Sequence, residues 1–149
     1  MLIAGEARFD AEPERVWAVL LDPSIIAQCI PGCQELKETE PDRFVARLKV
    51  GVGPVSGQYE GTLRITEKQP TTRYAMAFDG QGGVGFVRGT GSAQLRAEGG
   101  GTVLDYRCEV EVGGALASVG QRMIEGASRF LVNQMFDKLR AFVARGSAS

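Results

Sequence analysis

The sequence predicts an α+β protein in which a curved antiparallel sheet of about seven strands wraps one long C-terminal helix. Three observations predict it. Apolar residues alternate with charged ones in successive runs from Phe44 to Val112, broken only by short glycine- or proline-bearing turns. From Ala115 to about Arg145 the alternation gives way to a helical period. Between the first strand and the long alternating stretch lies a segment with helix-start signals. A sheet with one apolar face and a helix with one apolar stripe can bury both against each other.

The elements follow in order. In Leu2 to Asp10, Ile3, Ala7 and Phe9 are apolar and Glu6, Arg8 and Asp10 are charged, which is a strand with one wet face. Pro13 suits the first turn of a helix, and Glu12 and Glu14 suit its positive end. Val16, Trp17, Leu20 and Leu21 make its apolar stripe. Asp22-Pro23-Ser24 ends that helix and opens a second short one through Ile25, Ile26 and Ala27. The turn Ile30-Pro31-Gly32-Cys33 closes the unit.

In the sheet, Phe44, Ala46, Leu48, Val50 and Val52 share one face, with Arg43, Arg47 and Lys49 on the other. After Gly53-Pro54, the inward set is Val55, Gly57, Tyr59, Gly61, Leu63 and Ile65, then Tyr74, Met76 and Phe78. Next come Val87, Gly89, Gly91, Ala93 and Leu95, and beyond Gly99-Gly100-Gly101 come Leu104, Tyr106, Cys108, Val110 and Val112. Short connections with one wet face per strand mean a sheet built largely from hairpins. In the C-terminal segment Leu116, Val119, Met123, Ala127, Phe130 or Leu131, and Met135 or Leu139 fall near one face. At 1.5 Å per residue that helix is roughly 45 Å long, and Gly120 and Gly126 each weaken it by up to about 1 kcal/mol. The order is that of the helix-grip arrangement, expected as one domain over residues 1–149.

At 149 residues the chain can hold a core without staples. Lys plus Arg is 17 and Asp plus Glu is 18, a balance that argues against nucleic acid as a partner. No apolar run approaches the ~18 residues of a membrane span, and Met1 to Asp10 is not a signal peptide. Histidine is absent, which removes His-based triads, His general bases and His metal ligands. Cys29, Cys33 and Cys108 are too few for a zinc site without His, so no metal is expected and Cys29 and Cys33 are expected to be structural. An odd, small number of cysteines suits a reducing cytoplasm. Gly80-Gln-Gly82-Gly83-Val-Gly85 matches a dinucleotide-binding pattern, but the alternating, glycine-broken residues after it will not start the helix that pattern requires.

The inner face of the sheet is the informative surface. Parity sends every Asp, Glu, Lys and Arg of the clear strands outward, leaving Tyr59, Tyr74, Tyr106 and Cys108 as the main inward polar groups. Acid–base catalysis needs carboxylates or lysines in a pocket, so no catalytic residue is assigned. Gly57, Gly61, Gly89 and Gly91 remove volume from the inner face. They either let the sheet bend around the helix or open an apolar cavity beneath it, and both can hold. The candidate ligand-binding residues are Tyr59, Gly61, Met76, Phe78, Gly89, Gly91, Tyr106, Met123, Ala127 and Phe130. Tyr59 and Tyr106 are the candidate hydrogen-bond donors to a head group, although each also reads as an ordinary core tyrosine.

Four stretches resemble the CoxG family of carbon monoxide dehydrogenase accessory proteins, within the larger group of START and Bet v 1-like helix-grip domains. They are Leu21-Asp22-Pro23, Cys29-Ile30-Pro31-Gly32-Cys33, Gly51-Val52-Gly53-Pro54-Val55 and Gly114-Ala115-Leu116-Ala117-Ser118-Val119-Gly120. The resemblance covers essentially the whole chain. It implies a non-enzymatic accessory protein with an internal apolar cavity, associated with a molybdenum-containing CO dehydrogenase-type enzyme. A quinone or lipid would fit the cavity, with no other cofactor. It also implies a cytoplasmic protein that can lie peripherally on the inner face of the membrane. Family members often carry a C-terminal tethering extension, whereas this chain stops at Arg145-Gly-Ser-Ala-Ser149, so direct anchoring is not expected. The alternatives are a small cyclase- or hydrolase-type enzyme of the same fold, disfavoured by the uncharged inner face, and a pure protein-interaction module. The pattern does not fix the oligomeric state, and a homodimer is compatible with it.

Overall fold

In a computed structural model, which describes residues 1–147, the edges of one sheet are bridged by two short helices. The elements are β1 (Leu2–Phe9), α1 (Pro13–Leu20), α2 (Pro23–Cys29), β2 (Cys33–Glu40), β3 (Arg43–Val50), β4 (Gly57–Gln69), β5 (Arg73–Gly82), β6 (Gly85–Glu98), β7 (Gly101–Gly113) and α3 (Gln121–Ser147). The sheet runs β1-β7-β6-β5-β4-β3-β2, antiparallel throughout. β1 and β2 are therefore the two edges, and α1 and α2 carry the chain from one to the other. Ala148 and Ser149, the end of the chain, lie outside the described residues.

Local chemistry sets the corners. Pro13 and Pro23 each open a helix, and the Asp22 carboxylate accepts hydrogen bonds from Ser24 N (3.0 Å) and Ser24 Oγ (2.7 Å). Gly99 and Gly100, at φ 58° and 84°, make the two-residue β6–β7 hairpin loop. β2 is the strand that the alternation did not single out. Its Glu35, Lys37, Glu38 and Glu40 obscure the pattern, because an edge strand needs only one inward apolar residue, Leu36, in mid-strand.

The C-terminal helix is shorter than its periodicity suggests. Gly114–Ser118 forms a short 3₁₀ segment, Gly120 turns at φ +102°, and α3 begins only at Gln121. At 1.5 Å per residue its 27 residues span roughly 40 Å. It runs across the concave face of the sheet and along the β1 edge, where Arg140 Nε donates to Arg8 O at 2.9 Å. No helix among the described residues is long and apolar enough to cross a membrane.

Two packed clusters hold the layers together. The larger joins Phe9, Val16, Val19, Leu20, Cys29 and Leu104 to Phe136, Leu139 and Val143 of α3. The smaller gathers Tyr59, Leu116 and Ile124 with Leu48, Val55, Val87 and Val112 around them. Between these clusters the sheet and the helix do not meet everywhere.

Candidate functional site: a divided apolar cavity

The inward parity of β3 to β7 places the inner face in rows. Leu63 is opposite Phe78, Phe78 opposite Gly89, and Gly89 opposite Val110. In the next row Met76, Gly91, Cys108 and Ile3 lie side by side, and beyond them come Tyr74, Ala93 and Tyr106. Over these rows lie Ile124, Ala127, Ser128, Leu131, Val132 and Met135 of α3.

The space enclosed has two adjoining chambers that share Ile30, Leu36 and Leu63 in their walls. The first, of about 290 Å³, lies under the N-terminal half of α3 and is lined by aliphatic side chains such as Leu48, Val87, Val112 and Leu131. The second, of about 190 Å³, lies nearer α1 and α2 and adds Tyr74, Met76, Tyr106 and Cys108. The first is at the lower end of the usual ligand-site volumes of ~300–1,000 Å³. Its Asp79 belongs to the outward parity of β5, opposite Arg88 and Thr62, so no charged side chain points into either chamber.

The inner-face glycines divide into two kinds. A Cβ on Gly61 would stand 2.5 Å from Asp79 O, and one on Gly89 would collide with Glu109 O. Neighbouring backbone crowds both, so they serve the bend of the sheet. A Cβ on Gly91 would meet Cys108 Sγ at 3.4 Å and Met76 Cγ at 3.6 Å, which is ordinary contact. The missing side chain of Gly91 is therefore open volume in the second chamber.

Of the candidate ligand-binding residues, Tyr59, Gly61, Phe78 and Ala127 line the first chamber and Met76, Gly91 and Tyr106 line the second. Gly89 lies against the Phe78 ring and lines neither. Met123 and Phe130 are corrected: they are 55% and 51% exposed, on the outer side of α3. The reason is the break at Gly120. A face counted continuously from Leu116 loses its phase there, and the inward residues of α3 are instead Ile124, Ala127, Leu131, Met135 and Leu139. Ile30, Leu36 and Leu131 are wall residues that the sequence pattern misses, because their segments carry no clean alternation or the wrong helical phase.

The polar groups also divide. Tyr59 Oη donates to Val55 O at 2.7 Å, and Ser128 Oγ donates to Ile124 O at 2.8 Å, so both hydroxyls of the first chamber are engaged within the protein. Tyr106 is stacked at a tilt on Phe136, 5.1 Å between centroids, and its hydroxyl rests over Gly5, where a Cβ would come within 2.7 Å of it. Tyr74 is held by the edge of Trp17 at 5.9 Å. Burial, reinforced by the neighbouring Cys108, pushes the Tyr74 phenol up to about 12. Burial likewise raises the Cys29, Cys33 and Cys108 thiols, which keeps them in the protonated, unreactive form.

The Cys29-Ile-Pro-Gly-Cys33 element is a corner. Cys29 is fully buried at the end of α2, Gly32 O accepts from Lys49 N at 2.8 Å, and a Cβ on Gly32 would collide with Lys49 O. Among the described residues, no group of three or more His, Cys, Asp or Glu side chains is placed to hold a metal ion.

A long helix gripped by a curved antiparallel sheet over an uncharged cavity defines a START-like helix-grip protein. Residues 5–144 match the model of the CoxG family, the G subunits of carbon monoxide dehydrogenase, and the chain belongs to that family, whose members are non-catalytic. A conserved protein from Geobacillus kaustophilus is 34% identical, with a TM-score of 0.94 over 97% of this chain and 96% of that one. A protein from Rhizobium leguminosarum (16% identity, TM-score 0.75, 97% and 95% covered) shares the fold. So does Ms6760 from Mycobacterium smegmatis (16%, 0.73, 97% and 92%). No curated protein sequence matches the chain.

Proposed function

We propose that this chain is a non-enzymatic carrier of an uncharged, mostly apolar small molecule, a quinone or a lipid of similar shape. It would serve a molybdenum-containing CO dehydrogenase-type enzyme as an accessory protein. The observation that carries the reading is the pair of adjoining chambers with no charged side chain turned into them. A close-packed interior of this size has no need of such space, since unfilled volume forfeits packing energy. A carrier does need it, together with one or two polar groups to orient its cargo. The family name supports the partner class. The carrier acts as one folded unit over residues 1–149 in the cytoplasm, peripheral to the inner face of the membrane when it loads or delivers.

Native mass spectrometry of the purified protein, incubated with bacterial lipid extract and then desalted, tests this. The expected result is one small-molecule adduct per chain, recovered chemically unchanged, and lost in Gly91→Leu. Absence of any adduct, or recovery of a converted product, overturns it. The same spectra read out whether the carrier is a monomer or a homodimer.

A further inference from the structure

The two chambers differ in one property that decides which molecules they accept. In the first, every hydroxyl already has a protein acceptor. In the second, Tyr74 is 9% exposed and no described residue accepts a hydrogen bond from its hydroxyl. A buried phenol without a partner is a cost, because its hydroxyl has given up water for nothing. Native interiors rarely leave such a group unpaired unless something binds there.

The surroundings leave room for what would bind. Tyr74 and Tyr106 stand in one row with Ala93 between them, and Met76 and Cys108 stand in the next row with Gly91 between them. Adjacent strands are ~4.8 Å apart, so β5 and β7 side chains face each other across roughly 10 Å, floored by a glycine and an alanine. Trp17 fixes the plane of the Tyr74 ring, and the Cys108 thiol adds a weak donor beside it. The Tyr106 hydroxyl is turned over Gly5 toward the β1 edge. No cation among the described residues is turned into either chamber to neutralise an anion.

We infer that the second chamber is a head-group subsite for a neutral hydrogen-bond acceptor of the carbonyl class. The Tyr74 hydroxyl is its donor, and the apolar remainder of the same molecule occupies the first chamber. This deepens the carrier reading and rests on it. The ligand enters head first, toward α1 and α2. An ionised carboxylate or phosphate head is rejected, because it would be stripped of water with no compensating charge. Tyr74, rather than Tyr59 or Tyr106, is the residue that distinguishes a ketone-type ligand from a plain hydrocarbon.

Three probes of similar length separate the claims: decane, 2-undecanone and decanoate, each displacing the neutral fluorophore N-phenyl-1-naphthylamine at neutral pH. In the native protein 2-undecanone should bind tightest, by a few-fold to roughly tenfold over decane, the worth of one neutral hydrogen bond. Tyr74→Phe should remove that advantage and leave decane unchanged, and Tyr106→Phe should keep it. A ketone no tighter than decane, a decanoate as tight as the ketone, or an advantage that survives Tyr74→Phe overturns the subsite. Equal weakening of ketone and decane in Tyr74→Phe would mean a packing role and also overturns it. Failure of all three probes to bind the native protein overturns the carrier reading, and the subsite with it. The infrared carbonyl band of bound 2-undecanone needs no variant. It should lie at the lower frequency of a hydrogen-bonded ketone, and an unshifted band refutes the assignment.

Discussion

The two faces of the sheet are built on opposite terms. On the outer face, charges meet their opposites across strands. Arg88 bonds Glu111 at 2.9 Å, Arg47 bonds Glu35 at 3.0 Å, and Arg96 gathers Glu6, Glu98 and Asp105. All are well exposed, so each pair contributes about 0–1 kcal/mol and none carries the fold. Their value is in register, since a slip of one residue would turn the ladder inward. The inner face of the same strands carries no charge and fewer atoms than it has room for. The outer face is therefore committed to holding alignment and the inner face to holding space.

The strongest way to break that comparison is to put side chains where the inner face has none. Gly61→Val forces a Cβ against Asp79 O, and Gly89→Val forces one against Glu109 O. Backbone cannot yield there without opening the sheet, so each should cost more than about 3 kcal/mol in urea unfolding or prevent folding altogether. Gly91→Leu adds the same kind of bulk a row away, yet its Cβ enters ordinary contact with Cys108 and Met76. It should fold with a melting temperature within a few degrees of the native protein, since overpacking costs typically ~1–3 kcal/mol at most. If Gly91→Leu is as damaging as Gly61→Val, the second chamber is not the open volume assigned to it.

A smaller effect follows from the buried phenol. The Tyr74 group is raised to about 12 in the folded protein, against 10.0 for the free side chain. Above pH ~10 the unfolded chain releases this proton while the native state keeps it, so stability falls as pH rises. The loss begins near the unfolded value and runs to the folded one, reaching about 2–3 kcal/mol for a shift of this size. Urea unfolding between pH 9 and pH 12 should show that decline in the native protein, and a shallower one in Tyr74→Phe. Identical slopes in the two proteins would mean that the hydroxyl is hydrated, and hence that the second chamber is open to water.

Most of the fold was legible because period-two alternation survives wherever a strand has one wet face. Phe44 to Val50, Tyr59 to Ile65 and Leu104 to Val112 showed their inner faces directly. The edge strand β2 did not, since Leu36 stands alone among charges and a single apolar residue has no period. The cavity was legible only in outline. Inward parity identified Gly61, Gly89 and Gly91 alike, but whether a glycine admits a backbone or leaves a void depends on the neighbouring strand, which no linear pattern contains. Likewise Tyr59, Tyr74 and Tyr106 look equivalent along the chain. Only the fold shows that Val55 O takes the first hydroxyl, that Gly5 lies under the third, and that the second is unclaimed.

The smallest expected effect tests the two faces of α3, where the sequence pattern and the structure part. Met123 and Phe130 look inward if the helix is counted unbroken from Leu116, but they are more than half exposed because the chain turns at Gly120, φ +102°, before α3 starts. Replacing them with Ser removes two large apolar side chains that contribute little burial. Stability should therefore change by no more than about 0.5 kcal/mol per site, the range of surface substitutions. Leu139→Ala, on the opposite side of the helix and fully buried, provides the contrast at about 2–5 kcal/mol. Binding of an apolar probe should survive Met123→Ser and Phe130→Ser unchanged, because neither side chain reaches a chamber wall. A several-fold loss of probe binding in a folded Phe130→Ser variant would place that ring over the cavity in solution, and the break at Gly120 would then be a hinge rather than a fixed turn.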